Sequence, residues 1–149
     1  CDFVCQCCIK GVIGLRESNF QLVGKPKLNC IDYQTNRDFN FAQGVQLELN
    51  NEVAITKNSA EGSNEAIVLL KARIFAGKPL DEVPFQFNME IEGFFKWTEE
   101  LATNAELLDT MLNQNAPAIL YSYLRPLITL ITVEADMPPL VIPLMNFRD

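Results

Sequence analysis

Catalysis at neutral pH most often recruits histidine, as general base, as partner of a nucleophilic Ser or Cys, or as metal ligand. This chain has none. Cys30, Asp32 and Tyr33 are the residues on which an enzyme reading would have to be built. No base or oxyanion motif accompanies them, which argues against catalysis. The other four cysteines, Cys1, Cys5, Cys7 and Cys8, crowd the N-terminus. As thiolates they could hold zinc, but their spacing lacks the paired C-x2-C knuckles of structural sites. No metal and no cofactor is therefore expected. Nor are the five cysteines spread as in a secreted disulfide scaffold, which points to a reducing cytoplasm.

A chain of 149 residues, 48% of them hydrophobic, is the usual size of one domain and can bury a core. With 19 Asp plus Glu against 12 Lys plus Arg, the net charge of -7 excludes unassisted binding to nucleic acid, whose affinity comes from cations on phosphates. Residues 1–17 read as a leader, disordered or non-native. It is no signal peptide, since Lys10 and Arg16 follow the apolar run instead of preceding it. Residues 18–149 are expected to form a single domain.

With chemistry set aside, the apolar residues become the candidates for function, and the elements that carry them follow from periodicity. From Val45 to Ile55 the apolar residues Val45, Leu47, Leu49, Val53 and Ile55 occupy odd positions, the period-two pattern of a half-buried strand. A second strand is predicted over Ala66 to Ala76, with Val68, Leu70 and Ile74 facing one way and Lys71 and Arg73 the other. In the third, Phe85, Phe87, Met89 and Ile91 alternate with polar residues. Phe20 to Val23 and Leu28 to Tyr33 supply a further strand, interrupted near Gly24 and Pro26. Short links imply an antiparallel meander. Phe39 and Phe41 fall in a polar loop, free either to enter the core or to meet a ligand.

After Trp97 the pattern turns helical. Thr103 and Glu106 fit a capping box for a short helix ending near Asn113, and Asn115 can cap a second one that tolerates Pro117 in its first turn. From Ile119 to Val133 the apolar face is so broad that the helix must be covered on more than one side. Its length approaches a membrane span, but Arg125 near the middle and Pro126 argue against insertion. Pro126 should kink the helix, and Pro138-Pro139 should stop it.

The run from Asn115 through Arg125, followed by Ile128, Thr129, Pro138-Pro139-Leu140, Pro143 and Asn146-Phe147, resembles the C-terminal signature of SecB, the bacterial export chaperone family. Val45 to Leu49 and Phe85 to Phe95 resemble its strands in the same order. The resemblance implies an α+β fold, a four-stranded antiparallel sheet followed by a broken long helix packed on one face, assembled as a dimer of dimers in the cytoplasm. It implies a homotetrameric holdase that keeps unfolded or precursor polypeptides in hydrophobic grooves without ATP, possible clients including exported proteins. A relative dedicated to the antitoxin of a toxin-antitoxin system is the alternative.

Candidate groove residues are Phe39, Phe41, Val45, Leu47, Leu49, Leu120, Leu124, Met145 and Phe147. Tyr123, Leu127, Ile128 and Ile131 are the candidates for a subunit interface. Positions that are acidic in the export chaperone, where its sheet recruits the translocation motor, align with Asn29, Tyr33, Gln86 and Asn88. Together with an end at Arg148 and Asp149 in place of the family's additional helix and tail, this puts motor binding in doubt. Glu90 and Glu92 are the residues available for a different acidic surface.

Overall fold

The computed structural model describes residues 18–143, Met145 and Phe147, without the side chain of Gln43. The leader expected over residues 1–17 lies outside the described residues. The centre of the sheet is an antiparallel pair, β4 (Glu65–Ile74) and β5 (Phe85–Trp97), with Ala66 opposite Phe95 and Ile74 opposite Phe87. Successive side chains of a strand point to opposite faces, so even positions of β4 and odd positions of β5 share one face. Val68, Leu70, Ile74, Phe87, Met89 and Phe95 lie on that inner face and are buried.

β3 (Leu49–Lys57) pairs with the far side of β4, without a register shift from Leu49 opposite Ile74 to Lys57 opposite Ala66. It starts later than the alternation predicts, because Val45 and Leu47 precede it in unpaired chain. β1 (Phe20–Leu22) and β2 (Lys27–Thr35) both pair with β5, in tandem along its other edge. The predicted interruption thus splits one strand into two, around Gly24 at φ +71°, and the sheet has five strands, not four.

Nor is it a meander. The order β1-β5-β4-β3, with β2 also on β5, sends residues 36–48 across the end of the sheet from one edge to the other. Three strand spacings amount to about 14 Å, beyond the reach of a hairpin turn.

Two caps begin the helical part. Thr98 accepts the Leu101 amide at the start of α1 (Glu99–Ala102), and Asn104 accepts the Leu107 amide at the start of α2 (Ala105–Thr110). Thr103, predicted as a cap, is already helical at φ -74° and ends α1. Asn104, at φ -108° and ψ 82°, has the non-helical backbone a cap requires.

Asn115 also differs from its predicted role. The chain there widens into a π turn, Met111–Asn115, that leads without a gap into α3 (Ala116–Glu134). Asn115 is helical at φ -75° and its side chain caps nothing. The interruption of the long helix is therefore a wide turn just before Pro117, which has no N–H to return to the preceding turn. The helix then continues through Pro126.

From Ala105 to Glu134 the helix is long and apolar enough to match a membrane span by length and composition. Here one of its faces lies on the sheet, where Leu112, Leu120, Leu124 and Ile128 are buried. Gly93 of β5 allows the close approach: a Cβ there would come 2.8 Å from Leu120 Cδ2 and 2.8 Å from Phe95 Cε2. Gly93→Ala is expected to cost about 1–3 kcal/mol through overpacking, read as a lower urea midpoint at unchanged slope.

The helix closes as a Schellman motif. The Asp136 amide donates to the Val133 carbonyl and the Met137 amide to the Thr132 carbonyl, with Asp136 left-handed at φ 57°. Glycine is the residue that adopts this conformation without strain. Asp136→Gly is expected to raise stability by about 0.5–1 kcal/mol, seen as a higher thermal midpoint.

Candidate functional site

Beyond the helix, residues 138–143 turn back along it in extended chain, held by side chains. Thr129 Oγ1 donates to the Leu140 carbonyl at 2.7 Å, Arg125 Nε to Ile142 O at 3.1 Å, and the Tyr121 hydroxyl to Pro143 O at 2.8 Å. The Leu140 amide donates to Thr132 Oγ1 at 3.1 Å. These residues recur every three or four positions, so they line one stripe of α3 and act as a row of clasps. Ile142 is fully buried beneath the strap they make. The Tyr121 phenol is pushed above its ordinary range by burial, with the Arg125 charge opposing.

Where the strap leaves the helix, it faces the crossing loop. That loop is pinned by Asn36, whose amide Nδ2 donates to the carbonyls of Asp81 and Val83 while its backbone N–H donates to Pro84 O. Phe39 and Phe41 meet edge to face at 5.0 Å. Between loop and strap lies a cleft of about 230 Å³, floored by Phe75, Pro84 and Phe85, with Phe41, Val45 and Leu47 on one side and Met137, Pro138, Pro139 and Leu140 on the other. Every residue lining it is apolar.

A second, polar hollow adjoins it, sharing Phe41 and Met137 and adding Arg37, Glu134 and Asp136. Among the described residues, only Phe75 and Asp136 are non-glycine residues with positive φ, each at 57°, and each lines one of these two hollows. Backbone strain of this kind gathers at functional sites.

Three predicted groove residues, Phe41, Val45 and Leu47, line the cleft, and Phe39 adjoins it through Phe41. Leu49 opens β3 and packs against the core. Leu120 and Leu124 are corrections: both are 0% exposed, packed between α3 and the sheet, out of reach of any client. Met145 and Phe147 lie toward the opposite end of the strap, Phe147 against Tyr121 at 5.8 Å. Tyr121 lies 13 residues before Glu134, the last residue of α3, about 20 Å along the helix.

Ile128, a predicted interface residue, is likewise core at 0% exposure. Tyr123 is exposed and Leu127 and Ile131 half-buried, on a solvent-facing stripe that also holds Leu130 and Val133. Leu130, Phe75, Phe85 and the Met137–Leu140 wall were absent from the predicted site.

The alternative catalytic residues do not converge. Cys30 and Asp32 lie on the outer sheet face beside Glu90 and Asn88, whereas Tyr33, opposite Phe87, lies on the inner face. There it stacks on Phe85 at 5.6 Å, and burial of its hydroxyl raises its pKa, with Thr35 opposing. Tyr33 is thus not on the flat outer face where the motor-binding alignment put it. Gln86 and Asn88 are, and Glu90 there pairs with Lys71 at 3.6 Å, making the surface mixed in charge, not acidic.

An antiparallel sheet backed by one long helix, with an apolar cleft open at its end, defines an α+β fold. Residues 34–149 match the family described as "Preprotein translocase subunit SecB". The chain belongs to the SecB family, a family of chaperones. An uncharacterized protein of Methanocaldococcus jannaschii is 30% identical over 102 residues, 68% of this chain; the chain spans 63% of that relative's length. The fold matches the SecB-like chaperone of Mycobacterium tuberculosis, solved in complex with a ChAD peptide from the HigA1 antitoxin. That match has TM-score 0.58 and 17% identity, over 85% of this chain and 88% of the other.

Proposed function

We propose that residues 18–149 form a cytoplasmic, ATP-independent holdase that binds unfolded polypeptides by their apolar side chains. The observation that carries this reading is the all-apolar cleft between crossing loop and strap. Burying client surface there gains about 25 cal/mol per Å² and requires no particular sequence, so affinity grows with the hydrophobicity and length a client exposes. The stripe of exposed Tyr123, Leu130 and Val133 beside half-buried Leu127 supports assembly through α3, as a dimer of dimers.

The test is suppression of aggregation. An unfolded secretory precursor diluted from denaturant should stay soluble with the protein present and precipitate without it. Precipitation at an equal rate in both would sink the general holdase reading. Light scattering checks the assembly, and a monomer at micromolar concentration would contradict it.

Dedication to an antitoxin is the second reading. It draws support from the outer sheet face, where Gln86 and Asn88 replace the acidic residues expected for a motor, and from the antitoxin peptide held by the mycobacterial relative. Export handover to a motor is therefore not part of the proposal. A protein that protects an antitoxin but no secretory precursor would favour this second reading over the first.

A further inference from the structure

One wall of the cleft is built from chain that cannot hold itself in place. Met137 spends its amide on the helix end, donating to the Thr132 carbonyl, and Pro138 and Pro139 have no amide to donate. The first free donor of the wall is the N–H of Leu140. Both backbone polar groups of Leu140 pair with threonines of α3: the amide donates to Thr132 Oγ1 at 3.1 Å, and the carbonyl accepts from Thr129 Oγ1 at 2.7 Å.

Thr132 is also fully buried, at 0% exposed, and its hydroxyl faces the Ile128 and Thr129 carbonyls at 3.0 and 2.9 Å. A hydroxyl donates once and accepts freely, so this one bonds back to its own helix while taking the Leu140 amide. A threonine that only filled core space would do as well as valine, its near-isostere. Here valine would leave the half-buried Leu140 amide without its threonine partner and free the wall to move off the cleft.

We propose that Thr132 and Thr129 are positioning residues for client binding: they clamp the Pro138–Leu140 wall at the width that grips an apolar side chain. The clamp rests on the holdase reading, since it acts through the same cleft. It adds a means of tuning affinity from residues that never touch the client.

The experiment compares the wild-type protein with Thr132→Val, Thr132→Ser and Thr129→Val, using a fluorescent, permanently unfolded reporter peptide rich in Leu and Phe. Each valine variant is expected to bind about tenfold more weakly, mainly through faster release, and serine at 132, which keeps the hydroxyl, to stay within about twofold of wild type. Hydrogen exchange at the Leu140 amide provides a second readout, slow in wild type and Thr132→Ser and faster in Thr132→Val.

Valine variants that bind as wild type does, or a serine variant as weak as valine, would overturn the clamp while leaving the holdase reading intact. If the wild type itself fails to bind the reporter, the holdase reading falls and the clamp falls with it. Should Thr132→Val not fold, the half-buried Thr129→Val decides by the same affinity criterion.

Discussion

Leu124→Ala is expected to lose about 2–5 kcal/mol of folding stability, the range for emptying a well-packed site that collapses only in part. Leu124 is fully buried midway along α3, where the helix lies on the sheet. Against a total stability of about 5–15 kcal/mol, that loss is large enough to shift the urea midpoint far downward. Leu130→Ala makes the contrast. Its parent side chain is 55% exposed, so in dilute solution the change should stay within about 0.5 kcal/mol. At concentrations where copies associate through α3, the Leu130 variant should lose stability as well, because burial then depends on the partner. An unchanged midpoint for Leu124→Ala would mean that the helix does not rest on the sheet as described.

The largest effect on binding is expected from Phe41→Ser combined with Val45→Asp. Both side chains are more than a third exposed while lining the apolar cleft, so little folding stability depends on them. A carboxylate among the apolar residues that remain around the cleft must either stay solvated, which keeps the client out, or lose its water at high cost. Client affinity should fall at least about tenfold, with a urea midpoint close to that of wild type. Fluorescence anisotropy with an unfolded reporter measures the first and chemical denaturation the second. Wild-type affinity in the double variant would move the binding site away from the cleft.

Much of this architecture could be read from the chain because alternation is a local signal. Phe85 to Ile91 alternate with polar residues, and the structure buries the odd-numbered set. Partner choice is not local. That β1 and β2 join β5, far along the chain, left no mark in the links between strands, so the sheet read as a meander. Caps misled where neighbouring residues compete for one role, as Thr103 and Asn104 do, and a π turn such as Met111–Asn115 has no consensus to find.

For the cleft, exposed aromatics in a polar loop drew attention to Phe41, and strand parity to Val45 and Leu47. The opposite wall was missed because Met137-Pro138-Pro139-Leu140 reads simply as a helix stop. Its place depends on side-chain to backbone bonds from Thr129 and Thr132, which are spaced like any other helical residues. Leu120 and Leu124 were misplaced for a related reason. A helix apolar on nearly all sides gives no sequence cue as to which side meets the sheet, and here Gly93 decides it.

The crossing of residues 36–48 has a consequence for how the molecule comes into being. Phe20 pairs with Trp97, so 77 residues separate the first strand from the partner it needs. During synthesis at about 5–20 residues per second, β1 waits about 4–15 s for Trp97, and β2 somewhat less for its own partners in β5. Contacts this distant in sequence also slow folding once the chain is complete. Through that interval Phe20, Leu28 and Ile31 are exposed on unpaired strands, the condition in which chains aggregate. A protein with this connectivity passes through its own stage as an unfolded chain open to aggregation, which ends only when its last strand is made.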